Sequence, residues 1–276
     1  MSTIDQLLER VEILPPSPAL LNKLLASIND VDANFDEVVN LVEMDPSLTA
    51  KLLQICNSAF FGPSEPIVTI RTAVNEVGYQ AIYLLVAMIK GTETFKVSAA
   101  SNDASQIWLH SVITAYATRY IAEATQGDSG ATFTSGLLHD IGKVVMLKAN
   151  PDHYRIILRR AAEARTSPFD FEIASHGFSH ADVGAALLER WHLPASLVNG
   201  VAFHHNFINA GHAQADAARI YLGNILAHGK EYDPQTTGLQ ADAAREILNL
   251  TPDRYQDCAR RLAETIPLVD HICGLA

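Results

Sequence analysis

Eleven histidines occur in this chain of 276 residues, and all of them fall between His110 and His271. His139-Asp140 is an adjacent imidazole–carboxylate pair, and His204-His205 is a doublet. His110 and His180 each stand in an apolar pattern of helical period. Imidazole and carboxylate together suit zinc, iron, manganese or cobalt, and a bridging carboxylate allows two metal ions close together. A hydrogen-bonded cluster without metal is the other physically admissible use, because buried polar groups need partners. Neighbouring residues on an ideal helix diverge by about 100°, so adjacency alone does not make His139 and Asp140 co-ligands. His153, His176, His192, His212, His228 and His271 read as ordinary core or surface residues without a ligand role.

The elements that must position these groups read as helices. Asn34 before Phe35-Asp36-Glu37 has the form of an N-cap with an acid three residues on. Asp45-Pro46 and Thr251-Pro252 each join a capping residue to proline at the first helical position, where its missing N–H costs nothing. His110 lies in a helix running on through Ile113 and Tyr116, and His139-Asp140 follows the apolar turn Ser135-Gly-Leu-Leu138. His180 opens a helix carrying Val183, Leu187 and Leu188, and His204-His205 closes one that starts at Pro194. Ile67-Val68-Thr69-Ile70 is the single short strand candidate. The expectation is an all-α protein, a multi-helix bundle. Ligands spread over several antiparallel helices are how such bundles build metal sites.

Composition narrows the function. A net charge of −11 without any basic run disfavours nucleic-acid binding, which needs concentrated positive charge. Arg155, Arg159, Arg160 and Arg165 form a local patch that reads as the solvated face of a helix. Cys56, Cys258 and Cys273 are widely spaced and odd in number, which argues for buried thiols in a reducing compartment. The early acid Asp5 does not suit a signal peptide, and the apolar run from Ala81 to Ile89 is short for a membrane span. A cytoplasmic protein is expected, with no membrane contact. The polar stretch from Lys96 to Asp103 suggests a seam between an N-terminal helical domain, residues 1–100, and a histidine-bearing domain, residues 101–276.

The segment Gly136-Leu-Leu-His-Asp-Ile-Gly-Lys143 resembles the signature of the HD superfamily of metal-dependent phosphohydrolases. More specifically the chain resembles the HDOD family, the HD-related output domains of bacterial signalling proteins. In the first half the resemblance lies in Leu14-Pro-Pro-Ser-Pro18, Asp45-Pro46, Cys56-Asn57-Ser58 and the segment from Ile70 to Gly78. In the second it lies in Trp108-Leu-His-Ser111, His180-Ala-Asp-Val-Gly184, Trp191 to Pro194 and His204-His205. The family implies an HD-like helical domain behind a smaller helical one, and a role in signal output, commonly without demonstrated catalysis.

The superfamily's metal pattern maps onto His110 as first ligand, His139 and Asp140 as the defining pair, and His180, His204 and His205 as the further histidines of dinuclear relatives. Asp140 and Lys143 would be the catalytic residues of an active member, Lys143 facing the substrate phosphate. The closing aspartate is replaced by Asn224, whose neutral amide is a poorer ligand. Gln106 stands where dinuclear relatives often have glutamate, and no Gly-Tyr-Pro signature follows His205. The resemblance therefore implies one or two divalent ions (iron, manganese or zinc) or none. It favours a signalling module that is weakly catalytic or non-catalytic and acts on a partner protein. A metal-dependent phosphohydrolase acting on a nucleotide or phosphodiester is the alternative. The oligomeric state is left open.

Overall fold

The computed structural model describes residues 3–10, 39, 42–43, 46–58, 61–78, 81–82, 85–86, 89, 102–229 and 234–273. Every regular element among them is helical, so the protein is all-α. In chain order the described helices are α1 (Ile4–Arg10), α2 (Pro46–Cys56), α3 (Ile70–Val77), α4 (Asn102–Ala124), α5 (Ser129–Leu138), α6 (Ile141–Ala149) and α7 (Pro151–Glu163). They continue with α8 (Phe169–His176), α9 (His180–Arg190), α10 (Ala195–Ala202), α11 (Gln214–His228), α12 (Pro234–Ile247) and α13 (Pro252–Cys273). No described helix is long and apolar enough to cross a membrane. The chain divides into two compact units: Met1–Leu14 with Ser101–Ile266, and Pro15–Ala100 with Pro267–Ala276.

In the smaller unit α2 begins at Pro46 as its sequence requires, and Leu52, Ile55, Ile70 and Ala73 are buried. The strand candidate at Ile67–Ile70 is not a strand. Thr69 is extended, at φ −132 and ψ 154, but its hydroxyl accepts from Thr72 N to cap α3. A β-branched residue suits the extended N-cap as well as it suits a strand, and here the cap prevails. Asn57 fixes the approach to α3: its amide donates to the carbonyls of Leu53 and Ile67, and its oxygen accepts from Ile67 N, each at 2.8 Å. The proposed cap at Asn34 lies outside the described residues.

In the larger unit α4 is the central helix, packed against α5 and α11, while α9 packs against α6 and α10. Caps fix the helix starts. Asp128 accepts from Gly130 N and Ala131 N ahead of α5, and Ser179 with Asp182 forms a reciprocal capping box on α9. Thr251 caps α13 through Arg254 N, at 3.4 Å. Gly142 sets how closely α6 approaches α9. A Cβ there would overlap the carbonyl of His180 and meet Gly184 N at 2.8 Å, so only glycine lets the two helices lie against each other. That contact brings the start of α9, with His180, alongside Asp140. Cys56 and Cys258 are buried free thiols, and Cys273 has no described side chain.

Candidate metal centre

Both adjacent pairs sit where helices end. His139 and Asp140 occupy the turn between α5 and α6, with Asp140 at φ −100 and ψ 9. His204 and His205 lie in the turn after α10. Outside regular helix the divergence of successive side chains no longer applies, and each pair turns both members inward. His139, Asp140, His180 and His204 are all buried, and Asn224 is 2% exposed.

The orientation of each imidazole is fixed from behind. His139 Nδ1 lies 2.7 Å from the Gly136 carbonyl, and His204 Nδ1 lies 2.6 Å from the Val201 carbonyl. A carbonyl only accepts, so both Nδ1 atoms carry the proton and both Nε2 atoms present a lone pair. His180 Nδ1 likewise donates to Glu172 Oε2 at 2.6 Å. The three Nε2 atoms converge on Asp140 and on one another. His180 Nε2 is 3.3 Å from His204 Nε2, 3.1 Å from His205 Nε2 and 3.3 Å from Asp140 Oδ1. On the other side Asp140 Oδ2 is 3.3 Å from His139 Nε2 and 3.7 Å from His110 Nε2.

Two triads result, His180 with His204 and His205, and His110 with His139 and Asp140, each with its ligand atoms within 4.8 Å of one another. A divalent metal fits this donor set. Bonds of about 2.0–2.1 Å put neighbouring ligand atoms roughly 3.0–3.4 Å apart, which matches the spacings here. His139 Nε2 and Asp140 Oδ1 are buried without a hydrogen bond, as atoms reserved for a cation would be. Asp140 turns Oδ2 toward His110 and His139 and Oδ1 toward His180, so its carboxylate would help hold an ion at either triad.

Electrostatics favour the ligating forms. Burial depresses the pKa of His204 and His205 well below the ordinary imidazole value, neighbouring imidazoles add to the effect, and both stay neutral. Burial also pushes His110 down, to about 3, against the pull of Asp140. For Asp140 burial acts upward, but His139 and Lys143 outweigh it and hold the carboxyl well below its usual range. His180 is the exception. Burial lowers its pKa, yet the Glu172 carboxylate reverses the balance and raises it.

Two expected residues stand in unexpected company. Lys143 Nζ lies 2.7 Å from Asp140 Oδ2, so its ammonium is engaged by the carboxylate while still lining the adjoining cleft. Asn224 Oδ1 meets His110 Nε2 at 2.8 Å, and this amide oxygen accepts the imidazole proton. Gln106 lines the cleft, exposed.

Three participants were not singled out by sequence reasoning. Glu172 is wholly buried: Oε2 accepts from His180 Nδ1 and from His180 N, and Oε1 accepts from Tyr154 OH at 2.5 Å. Burial works to raise its pKa, but His180 and the hydrogen bonds prevail and keep it ionised. Tyr154, also buried, is the second. His228, read as a bystander, lines the cleft with its ring centroid 4.1 Å from that of His110. The available signal for His228 was its place four residues after Asn224, one turn along α11. His153 and His176 are elsewhere, where His153 bonds Ser175 Oγ at 2.9 Å.

The bundle gathers imidazoles and a carboxylate from several helix ends into groups that could hold a metal ion. Residues 14–207 match the HDOD domain family, and the chain belongs to it. An HDOD domain protein of unknown function from Geobacter sulfurreducens shares 22% identity with a TM-score of 0.81, over 98% of this chain and 96% of that one. A provisionally named phosphohydrolase of Shewanella amazonensis shares 22%, with a TM-score of 0.73 over 97% of each chain. A provisionally named signal transduction protein of Marinobacter aquaeolei shares 20%, with a TM-score of 0.76, over 98% of this chain and 60% of that one. At these identities the likeness establishes the fold. An uncharacterised protein of Treponema pallidum is 29% identical over 205 residues, 73% of this chain but 39% of that protein. The chain thus spans about two-fifths of the length of this curated relative.

Proposed function

We propose that this protein is a signalling module that holds one structural metal ion and has little or no hydrolytic activity, delivering its output through contact with a partner protein. One observation carries the reading: two of the three ligand atoms of the second triad are already engaged, leaving His139 Nε2 alone. Asp140 Oδ2 is neutralised by Lys143 at 2.7 Å, and His110 is bonded to Asn224 at 2.8 Å. In the first triad His180, His204 and His205 turn their Nε2 atoms toward one another with Asp140 Oδ1 beside His180, and no lysine or amide engages them. In-line displacement at two metals needs both positions, one for the attacking oxygen and one for the leaving oxygen. In this reading the N-terminal helices within residues 1–100 meet the partner, and the setting is cytoplasmic.

A second reading is favoured by a separate observation, the cleft that opens on His110, Asp140 and Lys143. In that reading the chain is a phosphohydrolase. Bound metal ions would lower the pKa of water and polarise the phosphoryl oxygen. Asp140 would hold the metal side of the site, and Lys143 would turn from the carboxylate to offset phosphate charge.

Metal content of protein purified without a histidine tag separates the two. About one equivalent in the wild type, rising toward two in Asn224→Asp, is the expected result. Hydrolysis of a simple phosphodiester by the wild type, abolished in His139→Ala, would overturn the non-catalytic reading in favour of the second.

A further inference from the structure

The two triads differ in what reaches them. A cavity of about 970 Å³ in the larger unit, wide enough to admit a small molecule, is lined by His110, Asp140 and Lys143 on the side of the second triad. His180, His204 and His205 do not line it. His180 and His204 are fully buried, and His205 is half-buried. An aromatic ring lies against the outermost of the three. The Phe169 centroid is 4.8 Å from that of His205, with the planes tilted by 37°, and 6.4 Å from that of His180, edge to face at 86°.

Local sequence puts the ring there. Phe169 N donates to Ser167 Oγ at 3.2 Å, a side-chain turn that starts α8, and Pro168 holds φ at −66 between the two. Ser167 Oγ also lies 3.5 Å from His205 Nε2, so Ser167 and Phe169 face the same imidazole. Three residues along α8 from Phe169, on the same face, stands Glu172. Its Oε2 accepts from His180 Nδ1 at 2.6 Å. One helix therefore carries both the carboxylate that orients His180 and the ring that covers the cluster.

A phenyl ring offers water and anions neither donor nor acceptor. The apolar shell around a metal site controls what enters it from solvent. A structural site is closed by its own ligands and surroundings, whereas a catalytic one keeps a position for water or substrate. On this chain the approach from the cleft ends at the second triad, whose atoms meet Lys143 and Asn224. The first triad is turned away from the cleft and lies under Phe169.

We propose that Phe169 is the seal of the first triad: it denies small exogenous ligands to an ion held by His180, His204 and His205, and so makes that ion structural. The inference rests on the structural-metal reading above and names the residue that enforces it. With one triad sealed and the other engaged, neither offers a place for a substrate to react.

Cobalt(II) at one equivalent reports the seal, because its visible bands follow coordination geometry, and sodium azide serves as the probe anion. The wild-type bands should not respond to azide, and those of Phe169→Ala should change saturably. Chelator should extract cobalt about tenfold faster from Phe169→Ala than from the wild type. Phe169→Leu keeps an apolar cover and should follow the wild type in both measurements. Phe169 is half-buried, so the alanine variant should fold, and the wild-type azide titration tests the seal even where it does not. If Phe169→Ala holds cobalt yet ignores azide and releases the metal no faster, the ring merely packs on His205 and the seal is overturned. A wild-type azide response that persists in His110→Ala overturns the seal alone, since the ion is then at the first triad and open. A wild-type response that vanishes in His110→Ala, or a protein that binds no cobalt, overturns the structural-metal reading and the seal with it.

Discussion

Asn57 in the smaller unit and Asp140 in the larger one are both motif residues, and they use their polar atoms in opposite ways. The Asn57 side chain spends its donors and acceptor on backbone groups of Leu53 and Ile67. It is a closed arrangement that joins two segments and asks for nothing more. Asp140 accepts from Lys143 Nζ at Oδ2, but it is also surrounded by His110, His139 and His180 at 3.3–3.7 Å, and its Oδ1 is left without a hydrogen bond. Acceptor atoms aimed at one another repel unless a cation or a proton lies between them. The comparison teaches how to tell a structural motif from a chemical one: in the first the polar atoms close on the backbone, in the second they converge and stay open.

The largest expected effect tests the scaffold of the open arrangement. Gly142→Ala would drive a methyl group into the carbonyl of His180, a backbone atom that cannot step aside. A loss of about 3 kcal/mol or more is expected from such overpacking. Chemical denaturation would measure it, and metal content should fall in the fraction that still folds. A variant of undiminished stability with full metal content would mean that α6 and α9 need not touch for the site to form.

Next in size is Glu172→Ala, which removes the acceptor of His180 Nδ1, His180 N and Tyr154 OH in one step. Stripping a buried carboxylate from an imidazole and a phenol is expected to cost about 3 kcal/mol. The imidazole also loses the partner that fixes its tautomer, so metal affinity should drop about tenfold or more. Glu172→Gln, which keeps the shape and one acceptor, should recover part of the stability but less of the metal binding. If both variants lose stability while metal affinity is unmoved, His180 is not a ligand.

How far these features were legible in the sequence depends on their physics. Helices were legible because caps and apolar periodicity are local: the Pro46 and Pro252 starts and the His180 start all read directly. The Ile67–Ile70 segment misled because an extended capping threonine and a strand residue share one backbone region. Residue types suited to metal were legible too, since imidazole and carboxylate chemistry is intrinsic. Convergence was not, because it depends on where α6 crosses α9 and on turns that rotate His139, Asp140, His204 and His205 inward. Glu172 was invisible for a different reason: a carboxylate in sequence looks solvated, and only burial among His180 and Tyr154 reveals its use. The arginines from Arg155 to Arg165 were visible as a patch, but not the cleft that Arg155, Arg159 and Arg165 line and Arg160 does not.

The smallest effect sharpens the contrast from the closed side. Asn57→Ala removes the clamp between the end of α2 and the approach to α3, leaving Ile67 N and its carbonyl to find other partners. Asn57 itself is exposed and water can replace part of what is lost, so the cost should be about 1 kcal/mol. Its effect on metal content should be nil, because every one of its bonds ends on backbone of the same unit. Measured beside Glu172→Ala, the pair forms a two-way test: one change should move stability alone, the other stability and metal together. If Asn57→Ala released metal, the two units would be coupled. The separation of a closed structural motif from an open chemical one would then give way to a single cooperative site.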